Sequence, residues 1–150
     1  MSLEGALAGL PHGPEFRFVD RLTYLEPGKM GVGEYLVRGD EPFLRGHFPG
    51  QPLLPGVLLV EAAAQVAGVV AQSDPEIGPM PGLKLTALRN VKILGTAMPG
   101  QLIQIQANIT GRLGNLIQAR ATATVNESPV LHAELTLSGE EAGSEATAGP

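Results

Sequence analysis

His47 and Glu61 stand fourteen positions apart in or beside the stretch "GHFPGQPLLPGVLLVEAAAQ", residues 46–65, and together they could move protons. His47 sits in Arg45-Gly46-His47-Phe48-Pro49-Gly50, where Phe48, Pro49 and Gly50 shape an irregular loop and glycine lets backbone come close to a ligand. A neutral imidazole in such a loop accepts a proton at physiological pH. Glu61 is the one carboxylate in an otherwise apolar run, and apolar enclosure favours the neutral, proton-donating form of a carboxylic acid. Gln65 follows at the i+4 position on the same helix face, where its amide can hydrogen-bond the Glu61 carboxyl and fix its rotamer. Gly56 and Val57 open that helix, and the unpaired N–H groups at its positive dipole end make an oxyanion site that no Gly56 side chain blocks. A base, an acid and an oxyanion donor suit proton abstraction beside a carbonyl, with a leaving group protonated on the far side. Elimination of water is the natural reaction for such a set.

Other chemistries fit less well. The chain has no cysteine, which excludes disulfides, thiolate zinc sites and cysteine nucleophiles. Ser2, Ser73, Ser128, Ser138 and Ser144 fall in loops, strand ends or tails without a nearby histidine motif. His12, His47 and His132 show no metal-ligand spacing with one another. Plainer readings stand beside the chemical ones: His47 could satisfy loop carbonyls, and Glu61 could pair with Arg45 or Arg89 as a structural acid. His132 reads as a solvated residue on the polar face of a strand, and His12 as a packing or capping residue.

The elements that must position these groups are legible in the periodicity. A helix is expected from about 56 to 72, entered at Pro55-Gly56 and stopped by Ser73-Asp74-Pro75. It is apolar on every side, so something must enclose it. From residue 101 the apolar positions alternate: Ile103, Ile105, Ala107 and Ile109, then Ile117, Ala119, Ala121, Ala123 and Val125, then Leu131, Ala133, Leu135 and Leu137. Gly114-Asn115 and Ser128-Pro129 separate these runs into an antiparallel meander. Residues 18–26 and 29–38 flank Pro27-Gly28 as another hairpin, and residues 84–94 form a less regular strand before Pro99-Gly100. One enclosed helix and an antiparallel sheet long enough to wrap it define an α+β architecture.

The bulk composition agrees with one domain. The chain has 150 residues, 43% of them hydrophobic, which suffices for a single core. Its formal net charge of −5 argues against a general nucleic-acid binder. Pro55, Gly56, Glu61 and Gln65 interrupt the one candidate membrane span, and no signal peptide is legible at the start, so a cytoplasmic location is expected. Residues 1–9 are expected to be a flexible N-terminus, 10–138 the folded domain, and 139–150 a disordered acidic tail.

Three stretches carry a resemblance: "LPHGPEFRFVDRL" at 10–22, "EPFLRGHFPGQPLLPGVLLVEAAAQ" at 41–65 and "MPGQLIQI" at 98–105. In order and spacing they resemble the (3R)-hydroxyacyl-acyl-carrier-protein dehydratases of the FabZ type. The resemblance implies a hot-dog fold, an antiparallel sheet wrapped around a central helix. It further implies that His47 removes the α-proton, Glu61 protonates the departing β-hydroxyl and the Gly56 amide binds the thioester carbonyl. The resemblance also implies a homodimer in which the histidine and glutamate of each site come from opposite protomers, and which can assemble further into a trimer of dimers. Neither a metal nor an organic cofactor is implied. The substrate would be an acyl-carrier-protein or coenzyme A thioester, with Arg45, Lys84, Arg89 and Lys92 as carrier-protein contacts.

Two departures bear on specificity. Pro14-Glu15 replaces a common Tyr-Pro and Arg17 a commonly apolar residue, which alters the expected substrate entrance. Ile93-Leu94-Gly95-Thr96 follows Lys92 where further basic residues are usual, thinning the surface that would meet an acidic carrier. The expected activity is dehydration of 3-hydroxyacyl thioesters to trans-2-enoyl thioesters in fatty-acid synthesis. The alternatives are a hot-dog thioesterase, or a silent acyl-binding subunit of a larger synthase.

Overall fold

The computed structural model describes residues 2–46 and 52–140. Six strands form one antiparallel sheet: β1 (Arg21–Glu26), β2 (Met30–Leu36), β3 (Lys84–Ile93), β4 (Leu102–Leu113), β5 (Leu116–Val125) and β6 (Ser128–Ser138), in the spatial order β1-β2-β4-β5-β6-β3. Three helices accompany it: α1 (Leu3–Ala8), α2 (Pro42–Gly46) and the central α3 (Gly56–Gln72). The sheet curls around α3, which is the hot-dog arrangement. Among the described residues no helix is long and apolar enough to cross a membrane.

Helix α3 contains Val57, Val60, Val66, Val69 and Val70, β-branched residues that weaken an isolated helix. Burial holds it instead: Leu59, Val66, Ala67 and Val70 are buried against the sheet. On the inner face of β2, Gly31 and Gly33 allow the approach. A Cβ on Gly31 would meet Val70 Cγ2 at 2.7 Å, and one on Gly33 would meet Val66 Cγ2 at 3.1 Å. The helix ends where the hairpin turn docks. Gly28, at φ +73°, donates its N–H to Val70 O at 3.2 Å, and Arg112 Nη2 caps Ala71 O at 2.7 Å.

The alternation in the last three strands places Ile103, Ile105, Ala107, Ile117, Ala119, Ala121, Ala123, Leu131, Ala133, Leu135 and Leu137 in the core, while Ile109 is half-buried. The last hairpin turns at Asn126 and Glu127, both at positive φ, so Ser128 and Pro129 already belong to β6. The first residues differ from the expected flexible terminus. Leu3–Ala8 form α1, capped by Ser2 Oγ accepting from Gly5 N at 2.9 Å, with Leu3, Ala6 and Leu7 against the core. Residues 141–150, most of the expected acidic tail, lie outside the described residues.

Helix α2 takes in Arg45 and Gly46, the first two residues of the stretch expected to form an irregular loop around His47. Pro42 occupies its first turn, where a missing N–H costs nothing, and Phe43 packs edge-on to Phe18 at 5.7 Å. Glu41 fixes the corner leading into it, accepting from Tyr35 Oη at 2.6 Å, Gly39 N at 2.7 Å and Arg38 N at 3.1 Å. Partial burial of Glu41 opposes ionisation, but these donors prevail and hold its carboxyl below the usual range. Burial, followed by the same Glu41 contact, pushes the Tyr35 phenol up.

Candidate active site

Glu61 and Val57 share the face of α3 that the sheet leaves uncovered. Val57 is 70% exposed, and the Glu61 side chain keeps 23% of its surface. Within one chain Glu61 is therefore only half-enclosed, in contrast to the burial expected for it. The reason is geometric: the sheet covers the Leu59, Val66 and Val70 side of α3, whereas positions 57 and 61 point away from it.

Gln65 is enclosed, at 1% exposure, and does more than orient the glutamate. Its Nε2 donates to Glu61 Oε2 at 3.2 Å, as the i,i+4 spacing predicts, and to Phe16 O at 2.8 Å. Its Oε1 accepts from Phe18 N at 2.9 Å. One buried amide thus straps the segment before β1 onto the helix. Replacing Gln65 with Leu leaves the Phe16 carbonyl and Phe18 N–H without these partners, and stability is expected to fall by about 2–4 kcal/mol. Urea unfolding checks this; a loss below roughly 0.5 kcal/mol would show that the strap does not depend on Gln65.

The strap brings a histidine that the linear pattern assigns to packing. His12 Nε2 stands 3.3 Å from Glu61 Oε2, and its ring stacks on Phe16 with centroids 6.0 Å apart. Arg17 holds the backbone behind it, donating from Nε to His12 O at 2.8 Å and from Nη2 to Leu10 O at 2.9 Å. Among the described residues the basic side chain beside the Glu61 carboxyl is His12, and not Arg89. The motif "LPHG" preceding the first strand was the only linear signal for it.

Gly56 and Val57 begin α3 after Pro55, and among the described residues no side chain caps this end. Their N–H groups are thus at the mouth of the helix, on a side that Ile93 of β3 approaches: a Cβ on Gly56 would meet Ile93 Cδ1 at 2.8 Å. Glu61 follows Gly56 by five residues, about 7.5 Å along the axis. An N–H donor at the helix start and a carboxyl group one turn further on can serve opposite ends of a short acyl group.

His47, Phe48, Pro49 and Gly50 lie outside the described residues, as does the side chain of Arg45. Lys84, Arg89 and Lys92 are exposed along β3, while His132 is exposed on β6. Pro14, Glu15 and Arg17 line a cleft of about 390 Å3 together with Phe18, Tyr35 and Phe43. The cleft lies beside the strap and not along α3. No cluster of His, Asp and Glu able to hold a metal occurs among the described residues.

Comparison with known proteins places this geometry. The family model described as a FabA-like domain matches residues 10–134. The 3-hydroxyacyl-[acyl-carrier-protein] dehydratase FabZ of Chloroflexus aggregans is 36% identical over 136 residues, 90% of this chain and 93% of the relative. That of Clostridioides difficile is 40% identical over 126 residues, 84% of this chain and 88% of the relative. Among solved structures, the dehydratase heterocomplex ApeI:P from Xenorhabdus doucetiae superposes with a TM-score of 0.79 at 15% identity, covering 99% of this chain and 97% of the other. The fold agrees at that distance. With the family model covering most of the chain and close relatives aligned nearly end to end, this protein belongs to the FabZ-type 3-hydroxyacyl-[acyl-carrier-protein] dehydratases, which are hydro-lyases of the FabA-like family.

Proposed function

We propose that this chain dehydrates (3R)-3-hydroxyacyl thioesters carried on acyl carrier protein to trans-2-enoyl thioesters in fatty-acid biosynthesis. What supports the reading is the first part of α3, where Glu61 and Val57 share the uncovered face about one turn beyond the Gly56 N–H at the helix start. The Gly56 N–H, with that of Val57 beside it, donates to the thioester carbonyl oxygen and stabilises the enolate oxygen as His47 removes the α-proton. Glu61 gives its proton to the β-hydroxyl, and water leaves as the double bond forms. Atoms and charge balance without an added oxidant or reductant, because the proton taken by His47 and the one given by Glu61 offset each other.

A homodimer completes the site in this reading. Strand β3 is an edge of the sheet, and Val57, Leu88, Ile93 and Leu94 are exposed apolar side chains on or near it. A second copy laid along that edge would cover them and the open side of Glu61, and would supply His47. Lys84, Arg89 and Lys92 on the same strand offer positive charge to an acidic carrier despite the overall negative charge.

The test uses the full chain with 3-hydroxyacyl and 2-enoyl thioesters of both acyl carrier protein and coenzyme A, following enoyl absorbance and free thiol together. Enoyl turnover without thiol release supports the reading, with faster turnover on the carrier-protein substrate. Thiol release without enoyl product would make the protein a thioesterase, and neither signal on any substrate would make it a silent acyl-binding subunit.

A further inference from the structure

We propose that His12 is a positioning residue for Glu61: its Nε2, 3.3 Å from Glu61 Oε2, turns its N–H onto that oxygen when substrate binds and so confines the transferable proton to Oε1. The inference deepens the proposed function and rests on Glu61 as the proton donor.

The tautomer follows from burial. His12 Nδ1 is buried and has no hydrogen-bond partner among the described residues, whereas Nε2 faces Glu61 at 3.3 Å. A proton on Nδ1 would be a buried donor without an acceptor, and a doubly protonated ring would leave that donor charged as well. The neutral Nε2–H form avoids both.

The choice of oxygen follows from the donors. Gln65 Nε2 donates to the same Oε2 at 3.2 Å, so the amide N–H and the imidazole Nε2 both stand beside one oxygen of the carboxyl. Donors select the carbonyl oxygen of a protonated carboxyl, which puts its hydroxyl on Oε1. At 3.3 Å the imidazole is in contact with the carboxyl without a hydrogen bond, and catalytic contacts of this kind commonly tighten and align once substrate is bound. Arg17 keeps the imidazole in place through the His12 and Leu10 carbonyls, and the Phe16 ring stacks against it. This gives Arg17, a departure from the common pattern of the family, a task at the acid.

Two variants and one spectrum test the proposal. His12→Gln keeps an N–H near the Nε2 position without any possibility of charge, whereas His12→Phe keeps the stacked ring and removes the donor. His12→Phe is expected to lower kcat about tenfold or more with KM within about twofold, and His12→Gln to stay within about threefold of wild type. Equal losses in both variants, or no loss in His12→Phe, would overturn the role. Nitrogen-15 NMR of the wild-type imidazole at neutral pH is expected to show Nε2 protonated and Nδ1 bare, and a ring protonated on Nδ1 would refute the proposal even if the phenylalanine variant failed to fold. The spectrum needs no turnover, so an inactive wild type would count against the proposed function while the tautomer still decided the contact.

Discussion

Glu61→Gln is expected to lose between about a hundredfold and ten-thousandfold in kcat for dehydration while folding normally. The substitution keeps the size of the side chain, and an amide oxygen can still accept from Gln65 Nε2 and lie beside His12. What disappears is a proton that can be given away. Because the native side chain is 23% exposed and the amide retains its acceptor, the thermal midpoint should move by only a few degrees. The Gly56 and Val57 N–H groups remain, so the substrate should still bind and KM should change little. Enoyl formation by the purified variant, beside its melting curve, checks both halves of the expectation. Activity within tenfold of wild type would remove Glu61 from the role of acid and leave it as a binding group.

The features legible in the sequence share a physical origin. Strands β4, β5 and β6 each have one side on α3 and the other in water, so the period of two was written directly into Ile103 to Leu137. The limits of α3 were equally plain, because Pro55 and Ser73 act locally on the backbone. His12 was not legible as a neighbour of Glu61, because the segment that carries it is docked by contacts between residues far apart in the chain. Gln65 holds that segment through the Phe16 carbonyl and the Phe18 N–H, and backbone groups leave no mark in the order of side chains. The same holds for Arg17, whose two acceptors are carbonyls. Nor does the order of side chains show why Gly31 and Gly33 stand in β2, since the need for them comes from α3 packed against that strand. The half-open state of Glu61 could not be read from the apolar run around it either, since the run says how much surface must be covered and not which molecule covers it.

That last point yields the second prediction. His47→Ala and Glu61→Gln chains, each nearly inert alone, are expected to recover roughly a quarter of wild-type activity per chain when mixed as equal, randomly paired subunits. In a dimer whose sites each take His47 from one protomer and Glu61 from its partner, a mixed pair holds one site with both residues intact and one with neither. Half of the dimers are mixed, and half of their sites work. The exposed side chains around the helix mouth give the physical motive for such pairing: Val57, Leu88, Ile93 and Leu94 leave apolar surface in water along an edge strand, next to the uncovered side of Glu61. Co-expression with two different affinity tags, followed by purification on both, isolates the mixed dimer and should raise the recovered fraction to about a half. Two residues acting from within one chain would give no such recovery, because every chain in the mixture would carry a broken site.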